Sequence, residues 1–325
     1  MTTVSAIIPV YKVEQHIERC VRSLMEQTLE DVEYIFVDDA SPDRSMTIVR
    51  QIVSEYKRNV IFLVHKTNKG LPAARNTGLD VASGEFIYHC DSDDWLEPDM
   101  LKKMVHAAES QNADFVYCDF YLSFGGRERY MSQPSYTEKF DTLQRGVLAG
   151  DMKHNVWNKL IARSLYFDNG IKSPSDHCKG GEDFMIIKLL RMANKTAHVK
   201  EGLYHYNRTN DNAITKKTSE EHFLDIKANA DDVLSFLEIH PIPEPEYLQY
   251  FKLNVKLPFL MDRNRSQYAR WKNWYPEANE YIMGNKFQPF RMKFIQLLAK
   301  WRLFPLISIY SWSVDNLYYG FFYKK

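Results

Sequence analysis

Three carboxylates in four positions, Asp91, Asp93 and Asp94, close the strand-like run Phe86 to Cys90. Like charges that close together repel unless a cation neutralises them. Hard carboxylate oxygens suit Mg²⁺ or Mn²⁺, and Mg²⁺ is usually held by one or two carboxylates together with substrate phosphates. The same spacing also reads as a solvated acidic turn that caps the next helix, and spacing alone leaves both readings open. Asp38 and Asp39 end a second run, Val32 to Val37, where a carboxylate can accept from a ribose hydroxyl or a base N–H. Asp39, Ser41 and Asp43 also suit a plain turn and N-cap, and for Asp43 that reading is preferred.

A third cluster runs from Asn68 to Asn76. Gly70 can supply a positive φ there, and Arg75 falls one turn inside the following helix, within reach of a phosphate or a base. An exposed Arg on a helix face is the plainer alternative. A fourth cluster, Gly180-Gly181-Glu182-Asp183, precedes the apolar stretch Phe184 to Leu190. Acids in a first helical turn are ordinary dipole chemistry, and they are equally suited to general-base work. His205, Tyr206 and Arg208 follow a later strand and say little without context.

The elements that must carry these groups alternate. Strands are expected at Val4 to Val10, Val32 to Val37, Val60 to Val64, Glu85 to Cys90 and Asp114 to Phe120. Helices are expected at Val13 to Met25, at Met46 to Tyr56, from Leu71, and after Pro98. That order predicts an α/β fold with a mostly parallel sheet and helices on both faces, whose ligands bind at the carboxyl ends of the strands. The polar clusters fall at those ends. Beyond residue 121 the alternation fades: Thr142 to Gly150, Trp157 to Leu165 and Glu182 to Met192 read as helices, and Thr196 to Tyr206 as a strand. After Ser219 the chain reads helical, broken at His240 to Pro245.

Lys+Arg and Asp+Glu both number 42, so no global field favours nucleic acid. The four cysteines, Cys20, Cys90, Cys118 and Cys178, lack metal-site spacing and fit a reducing compartment. The opening residues read as a first strand, not a leader, and no stretch approaches the ~20 apolar residues of a membrane span. The expected location is cytoplasmic, with peripheral contact at the inner membrane surface. That contact rests on Lys286 to Lys325, which holds seven Lys/Arg against the single acid Asp315. On a helical wheel Phe290, Phe294, Leu297, Leu298 and Trp301 share one face flanked by Arg291, Lys293, Lys300 and Arg302; packing onto the rest of the chain is the alternative.

Taken together the clusters resemble the inverting family-two glycosyltransferases. The matching motifs are Ile7-Ile8-Pro9-Val10-Tyr11, Val37 to Asp43, Asn68-Lys69-Gly70 with Arg75-Asn76, Asp91-Ser92-Asp93-Asp94-Trp95-Leu96 with Pro98, and Glu182-Asp183. The resemblance covers residues 1 to about 210. It implies a GT-A fold, with a Rossmann-like nucleotide-sugar-binding half (1–120), an acceptor-binding half (121–215) and a helical C-terminal extension (216–325). It implies that Pro9 and Tyr11 line a nucleoside pocket and that Asp38, helped by Asp39, binds base or ribose. The D-x-D element maps onto Asp91-Ser92-Asp93, with Asp91 and Asp93 as metal ligands. Arg75 adds electrostatic support, Asp183 is the catalytic base, and Glu182 orients it. The expected donor is a UDP-sugar, with Mn²⁺ or Mg²⁺ as cofactor and a glycan or lipid-linked acceptor in polysaccharide biosynthesis. Ala40 stands where the family commonly has glycine, so its turn is expected to work without a positive φ. A nucleotidyltransferase is the runner-up, against which the glycine-free Pro9-Val10-Tyr11-Lys12 counts; a non-catalytic nucleotide-sugar-binding module is the other alternative.

Overall fold

The computed structural model describes residues 2–136, 140–174, 180–210, 219–261 and 266–313. Cys178 and the end of the basic-aromatic tail beyond residue 313 lie outside these. The chain divides into two compact units: unit 1 comprises Met1–Phe140 and His154–Phe236, and unit 2 comprises Asp141–Lys153 and Leu237–Lys325. The division thus falls after Phe236, where residue 215 was expected, and unit 2 also takes a segment from the middle of the chain.

Unit 1 is built on strands β1 (Val4–Val10), β2 (Val32–Asp38), β3 (Asn59–Val64), β4 (Phe86–His89), β5 (Trp95–Leu96), β6 (Phe115–Ser123), β7 (Glu128–Met131), β8 (Lys159–Ala162) and β9 (Thr196–Asn207). Their order in one sheet is β3-β2-β1-β4-β8-β6-β9-β5, with β7 beside β6. The first four strands are parallel, as the βα alternation predicts. From β8 onward the sheet is mixed: β8 runs antiparallel to both β4 and β6, whereas β9 is parallel to β6.

All seven residues of β1 are buried, which requires cover on both faces. Ala6, Ile8 and Val10 pack in one core with Ile17, Cys20, Val21 and Leu24 of α1 (Ile17–Met25) and Val49 and Ile52 of α2 (Ser45–Val53). Ile7 points the other way, onto α3 (Leu71–Val81). A Cβ on Gly78 would lie 2.4 Å from Ile7 Cγ2, so only glycine permits this approach. α4 (Met100–Gln111) packs on β6 and β9.

Two expectations are corrected in unit 1. Trp157 to Leu165 is not one helix: it holds β8, followed by the short α6 (Arg163–Phe167). Leu160 and Ile161 pair with Tyr88 and Ile87 on one side and with Val116 and Phe115 on the other, and a short apolar run buried on both faces carries no period that separates strand from helix. Ala40, expected to avoid positive φ, adopts φ 56°. The chain leaving β2 must reverse there while Asp38 Oδ1 accepts from the Ser41 amide at 2.8 Å, and a left-handed Ala costs about 1–2 kcal/mol.

Unit 2 is helical: α5 (Phe140–Ala149) from Asp141 on, the end of α8 (Glu220–Ile239), α9 (Glu246–Lys256), α10 (Pro258–Met261), α11 (Ser266–Asn273), α12 (Phe290–Lys300) and α13 (Phe304–Ser313). α7 (Met185–Met192), between β8 and β9 in sequence, belongs to unit 1. Lys256 of α9 is fully buried and donates to the carbonyls of Trp274 and Tyr275 and to Asn279 Oδ1. The expected stripe on α12 is split. Leu298 turns inward with Ile295 and Ala299, while Phe290 and Trp301 stay 68% and 59% exposed. A 3.6-residue period places residues on a wheel but does not say which sector meets a neighbour.

Candidate active site

β4 ends at His89 and delivers four polar residues beyond it. Their duties differ. Asp94 is fully buried and accepts from the Tyr204 hydroxyl at 2.6 Å and the Asn207 amide at 2.7 Å, tying the turn to β9. Burial, then Asp93 and Asp91, push its carboxyl well above the usual range. Ser92 is buried. Asp93 Oδ2 accepts from Asn210 Nδ2 at 2.7 Å; burial raises its carboxyl and that bond lowers it. Asp91 stays 24% exposed and offers Oδ1 to Arg75.

Arg75 joins residues far apart in sequence. It sits in the second turn of α3, whose entry Gly70 makes with φ 90°, and its side chain is 2% exposed. Nη2 donates to Asp91 Oδ1 at 2.9 Å and Nη1 to Asp183 Oδ1 at 2.7 Å. Arg75 thus binds two carboxylates with its fork. Asp183 lies in a short 3-10 turn, Glu182–Phe184, entered through Gly181 at φ 75° and leading into α7. Among the described residues no side chain caps that turn or α7, Asp183 included. Burial first, then Asp183, push the adjacent Glu182 carboxyl up to about 7. For Asp91, burial raises the carboxyl, Arg75 lowers it and Asp183 raises it again. Three acids, Asp91, Asp183 and Glu182, act on one guanidinium, an anionic cluster whose charge a cation would relieve.

The strand ends of β1 and β2 stand beside this cluster in the sheet, since Val10 pairs with Asp38 and Ile7 with His89. Pro9 is buried in β1, and Tyr11 beyond it is 39% exposed with the Lys12 ammonium 5.2 Å from its ring centre. Asp38 is half-buried. Asp39 differs: its carboxylate accepts from the amides of Lys69 and Gly70, from Asn68 Nδ2 and from His65, all within 3.0 Å. Its oxygens organise the 65–70 loop and so the start of α3. Asp43 likewise bonds Ser41, Ser45 and the Glu14 amide, as the turn reading expects.

Arg75 therefore binds both Asp91 and Asp183, while among the described residues Pro9, Tyr11 and Asp38 make no bond to the three. His205, which the sequence leaves without a role, has both ring nitrogens engaged by Glu97 and Glu128 at 2.8 Å and stacks between Trp95 and Tyr121. Asn210, Tyr204 and Lys159 escaped the sequence reading. The first two carry no spacing signal, and Lys159 lay in the segment taken for a helix. A cleft of about 630 Å³ runs along α1 past Arg19, Trp95, Gly125 and Asn207, and among the acids above only Asp93 lines it. Among the described residues no group of three His, Cys, Asp or Glu side chains forms a ready metal cage.

A parallel half-sheet with carboxylates at its strand ends, continued by a mixed half that supplies a further acid, defines a GT-A glycosyltransferase. The glycosyl transferase family 2 model matches residues 5–179, and the chain belongs to that family. It is similar to the uncharacterized glycosyltransferase EpsJ of Bacillus subtilis (strain 168), 33% identical over 231 residues, covering 67% of this chain and 66% of that protein. The cholesterol galactosyltransferase of Borreliella burgdorferi is 32% identical over 347 residues, covering 97% and 94%. Among solved structures, residues 1–349 of S. aureus TarS in complex with UDP-GlcNAc share the fold with a TM-score of 0.69 at 21% identity, covering 99% of this chain and 93% of that one.

Proposed function

We propose that this glycosyltransferase moves a sugar from a UDP-sugar to an acceptor hydroxyl in one displacement that inverts the anomeric centre. The observation that carries the reading is the Arg75 fork, which fixes Asp183 against Asp91 across 92 residues of sequence. Because Arg75 occupies Asp183 Oδ1, Oδ2 is the oxygen that takes the acceptor's proton. Glu182, beside it on the same turn, orients it. Pro9 and Tyr11 flank the nucleoside, and Asp38 accepts from base or ribose, while Asp39 holds the loop behind it. The UDP reading is supported by the resemblance and by the nucleotide bound to TarS.

Asp91 and Asp93 fit a divalent cation: both are carboxylates, burial raises both, and two such ligands plus substrate phosphate oxygens are the usual Mg²⁺ or Mn²⁺ set. When bound, the ion supplies positive charge for the departing diphosphate. The decisive experiment is Asp183→Asn. Turnover should fall ~10²–10⁴-fold with UDP affinity unchanged. Near-normal turnover at unchanged stability removes the base assignment.

The acceptor is a glycan or a lipid-linked saccharide of cell-surface polysaccharide synthesis, met at the cytoplasmic membrane face. No described helix is long and apolar enough to cross a membrane. On α12 and α13, Phe290, Trp301 and Ile309 are 68%, 59% and 62% exposed, with Arg291 and Arg302 exposed near them, which suits peripheral contact with anionic lipid. Sedimentation with anionic vesicles at low salt should be lost in Phe290→Ser/Trp301→Ser. Wild-type protein that ignores such vesicles refutes the contact.

A further inference from the structure

A second line of polar side chains is built on β6 and β9, which run parallel with Tyr117 opposite His198. Asp119 follows two residues on, where the pairing slips between Cys118 and Phe120, an irregularity of the kind that re-aims a side chain. The side chains of Asp119 and His198 are only 3% and 8% exposed. His198 Nε2 bonds Asp119 Oδ1 at 2.9 Å, and the other ring nitrogen, Nδ1, lies 2.7 Å from Ser135 Oγ. Ser135 is exposed, in the short segment that follows β7. Among the described residues none of the three is bonded to Arg75, Asp91 or Asp183.

Each part is held in place by neighbours. Asp119 also accepts from the Tyr130 hydroxyl and the Gln133 amide. The Tyr117 ring stacks on the imidazole, with centroids 4.4 Å apart and 11° between planes. Its hydroxyl donates to the carbonyl of Pro134, the residue before Ser135, at 3.0 Å. A carboxylate only accepts, so Asp119 keeps the imidazole proton on Nε2 and leaves Nδ1 to accept from Ser135. Burial pulls the imidazole below its ordinary range, against the pull of Asp119, so the ring is neutral and able to take a proton. A nucleophile bonded to a base, which a third group orients, is the arrangement that covalent catalysis uses on unrelated folds. The serine is the exposed end, where a ligand arrives from solvent.

We propose that Ser135 and His198 form a second reactive centre, a nucleophile and its base acting on short-chain acyl esters, with Asp119 as the positioning residue. Ser135 Oγ attacks the acyl carbonyl while His198 Nδ1 takes its proton. The ester C–O bond breaks, the proton passes to the departing alkoxide, and an acyl-serine remains. Water, giving its proton to the same nitrogen, attacks the acyl-serine; the carboxylic acid leaves and the proton returns to the serine oxygen. The test treats folded protein with a fluorophosphonate, which forms an O–P bond to an activated serine and loses fluoride, followed by digestion and mass spectrometry. The adduct is expected on Ser135 and not on Ser132, an exposed serine of the same segment. It should be missing from protein unfolded in urea before treatment. It should also be missing from His198→Gln, which can still donate to Asp119 but cannot take the proton. If His198→Gln does not fold, the comparison of folded with unfolded wild type carries the test. Hydrolysis of p-nitrophenyl acetate should fall about 10²-fold in Ser135→Ala, with UDP affinity unchanged. The proposal is overturned by no adduct on Ser135, by equal labelling of Ser132, by an adduct that persists in unfolded protein, or by ester hydrolysis that Ser135→Ala leaves intact.

Discussion

Replacing Arg75 by methionine keeps most of the buried stem and deletes the fork between Asp91 and Asp183. Two charged hydrogen bonds, at 2.7 and 2.9 Å, are lost. Each contributes about 1.5–3 kcal/mol, and removing one partner of a buried ion pair costs about 3–5 kcal/mol. Asp91 and Asp183 are each 24% exposed, so water recovers part of that, and a loss of about 3 kcal/mol is expected at pH 7.5. The loss has a pH dependence with a definite sign. Burial already raises the Asp91 and Glu182 carboxyls, and Arg75 is what lowers them. Without it both bind protons more tightly folded than unfolded, so the variant gains relative to wild type as pH falls through their folded-state range. Urea unfolding of both proteins at pH 7.5 and 5.5 measures this. A loss below about 1 kcal/mol at pH 7.5, or one equal at both pH values, would show that the fork does not hold the cluster together.

Asp93→Ala should abolish transfer with melting unchanged, and EDTA should do the same to wild type; activity that survives both removes the metal from the mechanism. Ala40→Gly should stabilise the chain by about 0.5–1 kcal/mol, because relief of the left-handed backbone exceeds the extra unfolded-state entropy. A destabilised Ala40→Gly in thermal melts would mean that the Ala40 methyl packs in a way that outweighs its φ.

The parallel half of the sheet was legible because its signals are local: each strand ends in a polar cluster and each helix follows within a few residues. Asp91, Asp183 and Arg75 stand out in sequence by type and spacing, but their joining does not, since nothing local links residue 75 to residue 183. β8 was misread for a related reason. Its strand character comes from β4 and β6 on either side, not from its own period. The three acids at 91, 93 and 94 look alike in sequence, and only the Tyr204 and Asn207 contacts separate Asp94 as a tether. Ala40 shows the limit of residue preference, because the backbone requirement at the end of β2 outweighs a cost of about 1–2 kcal/mol.

Asp38 and Asp39 are neighbours with opposite freedom to vary. The carboxylate of Asp39 is committed to the 65–70 loop, and through Gly70 and the His65–Thr77 contact it sets where α3 begins. A substitution there shifts Arg75, and with it Asp91 and Asp183, whichever nucleotide is used. Asp38 holds only the Ser41 amide among its side-chain contacts in the described residues, so it can be exchanged without disturbing α3. On the proposed nucleotide contact, substitutions at position 38 should lower UDP affinity at unchanged melting temperature, whereas substitutions at position 39 should lower the melting temperature and turnover together.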